Sequence, residues 1–210
     1  MILRSFLVIF FRELYTRLAW AYDAVAMITS VGEWFTWQRA AYAALTGTPL
    51  LEIGVGTGHV QSDLAARGWK TIGIDLSPYM VRISQRRLLR HQSHPMLVRA
   101  DAKALPFPKS VFKCALSTFP SEYMFELDTL HDVRRVLGPS GRLVVIPMAQ
   151  ITGRGLADRL AGWLYRVTGQ SGPISQDWGD IFRNAGFQAK VETVILPRAN
   201  VVRITADIAR

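Results

Sequence analysis

The chain has 210 residues, half of them hydrophobic, and a formal net charge of +9 at neutral pH. This length supports one domain with a full hydrophobic core, and the composition excludes an intrinsically disordered chain. The single cysteine, Cys114, excludes an internal disulfide and a cysteine-based zinc cluster, and we predict no metal site. The positive charge favours phosphate-bearing partners, either lipid headgroups or nucleic acid.

Residues 1–30 are predicted to form an apolar, amphipathic helical extension before a main domain of residues 31–210. An apolar stripe at helical spacing runs through Leu3, Phe6, Leu7, Phe10, Leu14 and Leu18. The apolar run ends before Arg12 and is too short to cross a bilayer. The stripe suits a helix at a membrane surface, and equally one packed on its own domain or on a second copy. We therefore expect a cytoplasmic protein, with peripheral contact at the inner face of the membrane through residues 1–18, or a homodimer formed through this helix.

Short apolar strands then alternate with helices along the chain. Helices are predicted near residues 33–46 and 58–67, from Ser77-Pro78 onward, and near 126–137 and 174–186. Strands are predicted at 50–53, 70–75, 96–100, 111–117, 142–146, 189–196 and 200–208, with a tight connection at 138–141. The alternation predicts a parallel sheet with helices on both faces, and the short link between the last two strands permits only an antiparallel pair. The fold class is therefore α/β, a Rossmann-like, seven-stranded, mostly parallel sheet with a C-terminal antiparallel hairpin and N-terminal helices.

The most informative motif lies where the first strand ends. Glycines stand at every second position of the turn: Gly54, Gly56 and Gly58. Such a turn leaves the backbone open to close approach by a ligand, with helix amides beyond it. His59 occupies the third glycine position of the dinucleotide pattern, which argues against NAD and favours a ligand without a pyrophosphate. Glu52 and Asp75 close the first two strands, and Asp75 is suited either to a ribose diol or to capping the next helix.

Four segments carry a family resemblance: residues 51–58 (LEIGVGTG), 73–80 (GIDLSPYM), 99–102 with 105–107, and 134–143. Together they resemble class I S-adenosylmethionine-dependent methyltransferases of the ubiquinone/menaquinone-methyltransferase-like group (methyltransferase type 11). The resemblance covers about residues 20–147, and the closing hairpin fits the same family. It implies methyl transfer from S-adenosyl-L-methionine, with S-adenosyl-L-homocysteine as the product.

The resemblance also implies roles for the matched positions. Glu52 and the glycine turn would hold the methionine part of the cofactor, and Asp75 would bind the ribose hydroxyls. Leu76 and Met80 would flank the adenine, and Asp101 and Ala102 would bind its amino group. Ser117, Thr118 and Phe119 would lie beneath the transferring methyl group. Tyr22 would belong to a helix that closes over the site. A buried core position explains Tyr22 equally well. Lys113 and Ser140 depart from the family pattern without removing cofactor binding.

Methyl transfer from a sulfonium is an in-line displacement with a neutral leaving group, so the protein mainly positions the reactants and excludes water. If the acceptor must lose a proton, a base is needed. Glu122 and Tyr123, just beyond the fourth strand, are the candidate catalytic residues. Helix capping and lid packing explain these two residues equally well.

Residues 117–120, Ser-Thr-Phe-Pro, lack the Asn-Pro-Pro-Tyr or Asp-Pro-Pro-Tyr signature of amino-group methylation on bases or glutamine, which disfavours a nucleic-acid partner. The apolar amino terminus and an apolar stripe within 148–178 favour a small lipophilic acceptor, either a quinone precursor or a phospholipid headgroup. Core packing alone also explains the stripe. Two alternatives stay open. One is an RNA methyltransferase using the basic helix face of Arg82, Arg86, Arg87 and Arg90, and the other is a non-catalytic cofactor-binding module.

Overall fold

The computed structural model of the chain describes residues 22–90, 96–153, 155 and 177–209. Within these residues, seven strands form one sheet in the order β3-β2-β1-β4-β5-β7-β6. The strands are β1 Leu50–Ile53, β2 Thr71–Asp75, β3 Leu97–Arg99, β4 Phe112–Thr118, β5 Leu137–Ile151, β6 Phe187–Ile195 and β7 Ala199–Ile208. The α-helices are α1 Tyr22–Thr29, α2 Trp34–Arg39, α3 His59–Ala66, α4 Pro78–Arg90, α5 Leu127–Val136 and α6 Asp177–Asn184.

The pairing of the strands confirms the predicted fold class. β1, β2, β3, β4 and β5 pair in parallel, whereas β7 pairs antiparallel with both β5 and β6. Only three residues separate β6 from β7, so the chain must reverse its direction there. The carboxyl ends of β1, β2 and β4 consequently meet at one edge of the sheet, which is where a ligand binds in open α/β folds.

Helices cover both faces of the sheet, as the alternation predicted. Neighbouring residues of a strand point to opposite faces, so Leu50 packs with Trp34 and Trp37 of α2, while Leu51 packs with residues of α5 and α6. Cys114, on β4, is a fully buried free thiol. Strands covered on both faces are mostly apolar, and this explains the hydrophobic runs of β1 and β4, in which Glu52 is a buried exception.

Two predicted boundaries are wrong. The predicted connection at 138–141 belongs to β5, which begins at Leu137 because that residue pairs with Phe112 of β4. Residues 138–141 then lie opposite Lys113 alone and form a bulge before pairing resumes. The helix predicted over 33–46 ends at Arg39, because the following backbone bonds join residues three apart and tighten the chain into a 3₁₀ turn, Tyr42–Ala44.

The predicted helical extension lies mostly outside the described residues, which begin with α1. The division into residues 1–30 and 31–210 therefore stays a prediction, as does the apolar stripe between 156 and 176. Within the part of the chain that the structure describes, no helix combines the length and apolar content needed to cross a bilayer.

Candidate cofactor site

The glycine turn, residues 54–58, links the end of β1 to the start of α3. Gly58 has a φ of +83°, and a Cβ there would lie 2.8 Å from Ser84 Cβ and 2.9 Å from Ser84 Cα on α4. Only glycine fits this contact, which brings α4 against the turn. Gly56 has a φ of +53°, and none of the described residues lies within 4 Å of the position of its missing Cβ. These residues therefore leave space for a ligand above Gly56.

Asp75, at the end of β2, holds this turn in place. Its Oδ2 accepts a hydrogen bond from the Gly56 amide at 2.9 Å, and its Oδ1 accepts one from the Ser77 amide at 2.8 Å. The bond to Ser77 fixes the chain just before α4, whereas the Ser77 hydroxyl caps the helix by accepting a hydrogen bond from the Met80 amide at 3.4 Å, so the capping role belongs to Ser77 and not to Asp75. Each carboxylate oxygen has a second lone pair, so the residue can still accept ligand hydrogen bonds. Burial raises the pKa of Asp75, and its two amide hydrogen bonds oppose that shift.

Glu52 on β1 is buried, with 1% of its surface exposed. Burial raises its pKa to about 8, the nearby negative charge of Asp75 adds to that shift, and Gln61 opposes it. Among the described residues, Glu52 Oε2 has no hydrogen-bond partner. A buried carboxyl oxygen without a partner is costly, and a ligand carrying N–H groups and positive charge would satisfy it. The residues at the turn therefore fit S-adenosylmethionine, with Glu52 and Asp75 as the anionic groups that would hold it.

At the end of β4, the Ser117 hydroxyl donates to the Ile53 carbonyl at 2.8 Å, which fixes β4 to β1 just below the turn. Phe119 has a left-handed backbone with a φ of +51°. Its ring stacks on Trp34 of α2, with 4.3 Å between the ring centres. A bulky residue with this backbone is rare and is typical of functional sites. Beside it, Gln38 donates to the Thr118 hydroxyl at 3.3 Å, so α2 covers the end of β4.

The two candidate catalytic residues differ in their placement. A Cβ on Gly54 would lie 2.7 Å from the Tyr123 hydroxyl, so this hydroxyl lies directly over the first glycine of the turn. Glu122 is exposed on the 3₁₀ turn Glu122–Phe125. The structure therefore brings Tyr123 to the candidate site and leaves Glu122 at the surface. The catalytic role of each stays a prediction.

The predicted adenine contacts are divided between surface and core. Leu76, next to Asp75, is 61% exposed and is available to a ligand, whereas Met80 is fully buried. Ala102 is buried, and the exposed Asp101 accepts a hydrogen bond at 2.9 Å from the Lys103 amide. Because it is buried, Met80 can support the adenine site only from within the core. Tyr22 is the first residue of α1, and its side chain lies outside the described residues.

The sequence analysis did not assign a role to Asp23 of α1. Its Oδ1 accepts from the Thr57 hydroxyl at 2.5 Å, and its Oδ2 lies 2.9 Å from His59 Nε2 and 2.6 Å from Arg87 Nη2. Although burial alone would raise it, hydrogen bonds from His59, Thr57 and Arg87 hold the pKa of Asp23 well below its usual range. Arg87 therefore faces α1, and the prediction that it shares the solvent face of Arg82, Arg86 and Arg90 is wrong.

A cavity of about 550 Å³ lies beside the turn, between α2, α3 and α4. Aromatic and charged side chains line it, among them Phe35, Arg39, Tyr42, His59, Arg87 and Arg90. In the described residues, no cluster of histidine, cysteine and acidic side chains could hold a metal ion.

The sheet order, the glycine turn and the two strand-end acids are the features of a class I S-adenosylmethionine-dependent methyltransferase. Residues 51–145 match a family model described as a methyltransferase domain. Residues 51–145 therefore carry a methyltransferase domain, which confirms the resemblance to the ubiquinone/menaquinone-methyltransferase-like group seen in the sequence.

Individual relatives agree with this assignment. A demethylmenaquinone methyltransferase of Tropheryma whipplei is 36% identical over 138 residues, which are 64% of this chain and 57% of the relative. A ubiquinone/menaquinone biosynthesis C-methyltransferase UbiE of Syntrophotalea carbinolica is 32% identical over 152 residues, 70% of this chain and 64% of the relative. The chain thus spans less than two thirds of the length of these curated relatives.

Among solved structures, the fold is similar to that of a SAM-dependent methyltransferase, possible histamine N-methyltransferase, from Thermotoga maritima. The TM-score is 0.67 at 20% identity, and the match covers 93% of this chain and 98% of the other. This likeness supports the fold and carries no information on the acceptor.

Proposed function

We propose that the chain transfers a methyl group from S-adenosylmethionine to a small lipophilic acceptor of the quinone-precursor class. The curated relatives named above are enzymes of menaquinone and ubiquinone biosynthesis, which supports this acceptor over a phospholipid headgroup. The family assignment of residues 51–145 supports the reaction type.

The observation that carries the acceptor class is the aromatic wall at the end of β4. Phe119 stacks on Trp34, and Trp37 lies with its ring centre 6.2 Å from that of Phe119. Trp34 and Trp37 are buried, at 7% and 1% exposure, so the partly exposed Phe119 is the ring of this group that a flat, apolar acceptor would meet. Aromatic rings prefer stacked or tilted partners, which suits such an acceptor. A nucleobase would also need polar partners to read its edges, and the motif for base amino groups is absent from residues 117–120.

The residues at the turn have complementary tasks in this reaction. S-adenosylmethionine supplies a methyl group that is already activated on a positively charged sulfur. Glu52 and Asp75 would hold the cofactor at the edge of the sheet. A quinol ring carbon becomes a good nucleophile when the neighbouring ring hydroxyl loses its proton. The Tyr123 hydroxyl above Gly54 is the candidate to hydrogen-bond that group, and Glu122, which is exposed on the same 3₁₀ turn, is the candidate to take the proton through solvent.

Methyl-labelled cofactor tests the proposal directly. The full chain is incubated separately with a reduced naphthoquinol that lacks the methyl group, with phosphatidylethanolamine vesicles and with total RNA. We expect label on the quinol ring carbon and not in the other two reactions. Label found only in lipid would identify a phospholipid as the acceptor, and label found only in RNA would identify RNA as the acceptor. Cofactor binding by calorimetry without transfer to any of the three would instead indicate a non-catalytic module.

A matched variant tests the aromatic wall. Phe119→Leu removes the ring while keeping an apolar side chain on the same left-handed backbone. An aromatic pair is worth roughly 0.5–1.5 kcal/mol, so we expect the KM for the quinol to rise by up to about tenfold. The cofactor Kd is measured in parallel, because Phe119 is also a predicted cofactor contact, and a raised Kd would assign the ring to the cofactor and not to the acceptor. An unchanged KM would remove Phe119 from the acceptor site.

The basic face of α4 gives the RNA alternative its one structural support. Arg82, Arg86 and Arg90 are all exposed along this helix. RNA bound there would dissociate steeply as salt is raised, because phosphate contacts release counterions. The same face would also attract anionic lipid, so RNA binding without methyl transfer to RNA does not support this alternative.

A further inference from the structure

Asp23 joins several elements around the glycine turn. Thr57 stands inside the turn between Gly56 and Gly58, and His59 is the first residue of α3, so Asp23 holds the turn from both sides of Gly58. Arg87 adds a contact from α4 at 2.6 Å. The His59 ring in turn lies 4.0 Å from the Phe35 ring of α2. The position of α1 is thereby linked to the backbone that would meet the cofactor.

Partial burial makes these contacts effective. The side chains of Asp23, His59 and Arg87 are 28%, 30% and 21% exposed, so solvent screens them less than a surface ion pair. Hydrogen bonds to an ionised carboxylate are also stronger than those between neutral groups. Losing Asp23 would free the Thr57 hydroxyl and leave the Arg87 guanidinium without this counter-charge.

We propose that Asp23 is a positioning residue that clamps α1 onto the glycine turn and thereby holds the cofactor in its site. The inference rests on the proposed function in one respect, that the turn binds S-adenosylmethionine. Asp23 itself contacts Thr57 and His59, so it acts through the turn. Cofactor release then requires these hydrogen bonds to break or α1 to move away.

Asp23→Ala and Asp23→Asn test the clamp in the full chain. Calorimetry should show the Kd for S-adenosylmethionine rising by about tenfold for Asp23→Ala, since several charge-assisted hydrogen bonds are lost. Most of this change should appear in the dissociation rate, measured by stopped-flow displacement. Without cofactor, the backbone amides of residues 22–29 should exchange hydrogen faster, while those of β1 and β4 stay unchanged.

Asp63 offers a matched control. It forms ion pairs with Arg39 of α2 at 2.9 Å and with Arg67 at 3.5 Å, both of which are about half exposed, and no contact with the turn is seen among the described residues. Asp63→Ala should therefore lower Tm by no more than Asp23→Ala and leave the cofactor Kd within about twofold. Thr57→Val should weaken cofactor binding, and Thr57→Ser, which keeps the hydroxyl, should restore it.

The outcomes separate the clamp from the proposed function. If Asp23→Ala speeds exchange in α1 but leaves the cofactor Kd unchanged, Asp23 is only structural and the proposal is overturned. Unchanged exchange in α1 overturns it as well. A parent chain that does not bind S-adenosylmethionine at all would refute the proposed function. The exchange of α1, measured without cofactor, would still decide whether Asp23 holds that helix.

Discussion

A buried acid on β1 makes the free energy of unfolding depend on pH. Glu52 ionises near pH 4.5 in the unfolded chain, but burial and the charge of Asp75 raise its native pKa to about 8. Between these values the native state holds a proton that the unfolded state has released. The free energy of unfolding should therefore fall as pH rises from 4.5 to 8, by up to about 1.4 kcal/mol per pH unit, and level off above 8.

Glu52→Gln is the control, because the amide has the same shape and cannot ionise. Denaturant unfolding across this pH range, without cofactor, should give a flatter profile for Glu52→Gln than for the parent chain. A positively charged ligand favours the ionised acid, so the parent's affinity for S-adenosylmethionine should rise with pH and that of the variant should not. Identical stability profiles for the two proteins would contradict the raised pKa.

A second prediction at the scale of single residues concerns Asp75. Asp75→Ala removes the acceptors of the Gly56 and Ser77 amides together with the predicted ribose contact. We expect the cofactor Kd to rise roughly tenfold to hundredfold, and stability to fall by about 1 kcal/mol from the two lost hydrogen bonds. Calorimetry and thermal unfolding measure the two effects. An unchanged Kd in a folded variant would show that Asp75 serves only the turn.

Single residues differ in how far the sequence predicts them. The position of Asp75 at a strand end, before Ser77-Pro78, suggested both a ligand and a capping role, and the structure shows its side chain bonded to the Gly56 and Ser77 amides instead of capping the helix. Asp23 could not be found in this way, because its partners Thr57, His59 and Arg87 are 34, 36 and 64 residues away. The spacing of nearby residues in the sequence does not indicate contacts between residues so far apart along the chain. The burial of Met80 could not be predicted either, because an apolar residue early in a helix can face either the core or the surface.

At the scale of elements, the close contact between the turn and α4 predicts that one methyl group added at Gly58 will greatly lower the free energy of unfolding. Gly58→Ala combines a left-handed backbone with a clash against the Ser84 backbone, which no rotamer change relieves. We expect a loss of roughly 2–4 kcal/mol in the free energy of unfolding. Gly68→Ala is the control, because Gly68 has a φ of +77° and no atom of the described part of the chain lies within 4 Å of its missing Cβ. It should lose only about 1 kcal/mol, and equal losses in the two variants would contradict the packing argument.

The sequence predicts an element well where local patterns determine it. It predicts an element poorly where pairing with a distant strand determines its ends. Alternating apolar runs and helices predicted the parallel sheet, and the short link after β6 predicted the hairpin. The early start of β5 depends on Leu137 finding Phe112 across the sheet, so a Gly-Pro-Ser-Gly stretch that reads as a connection is included in a strand. The end of α2 at Arg39 similarly reflects the approach of the chain to β1.

At the scale of the whole molecule, the net charge of +9 and the apolar stripe of residues 1–18 together predict binding to anionic membranes. The full chain should sediment with vesicles that contain anionic lipid, and the chain lacking residues 1–18 should stay in the supernatant. Replacing Arg82, Arg86 and Arg90 with glutamine should lower the bound fraction most at low salt, because screening already weakens these contacts at high salt. If the full chain stays in the supernatant, or if the shortened chain sediments equally well, the amino-terminal stripe must pack on protein instead, either on its own domain or on a second copy.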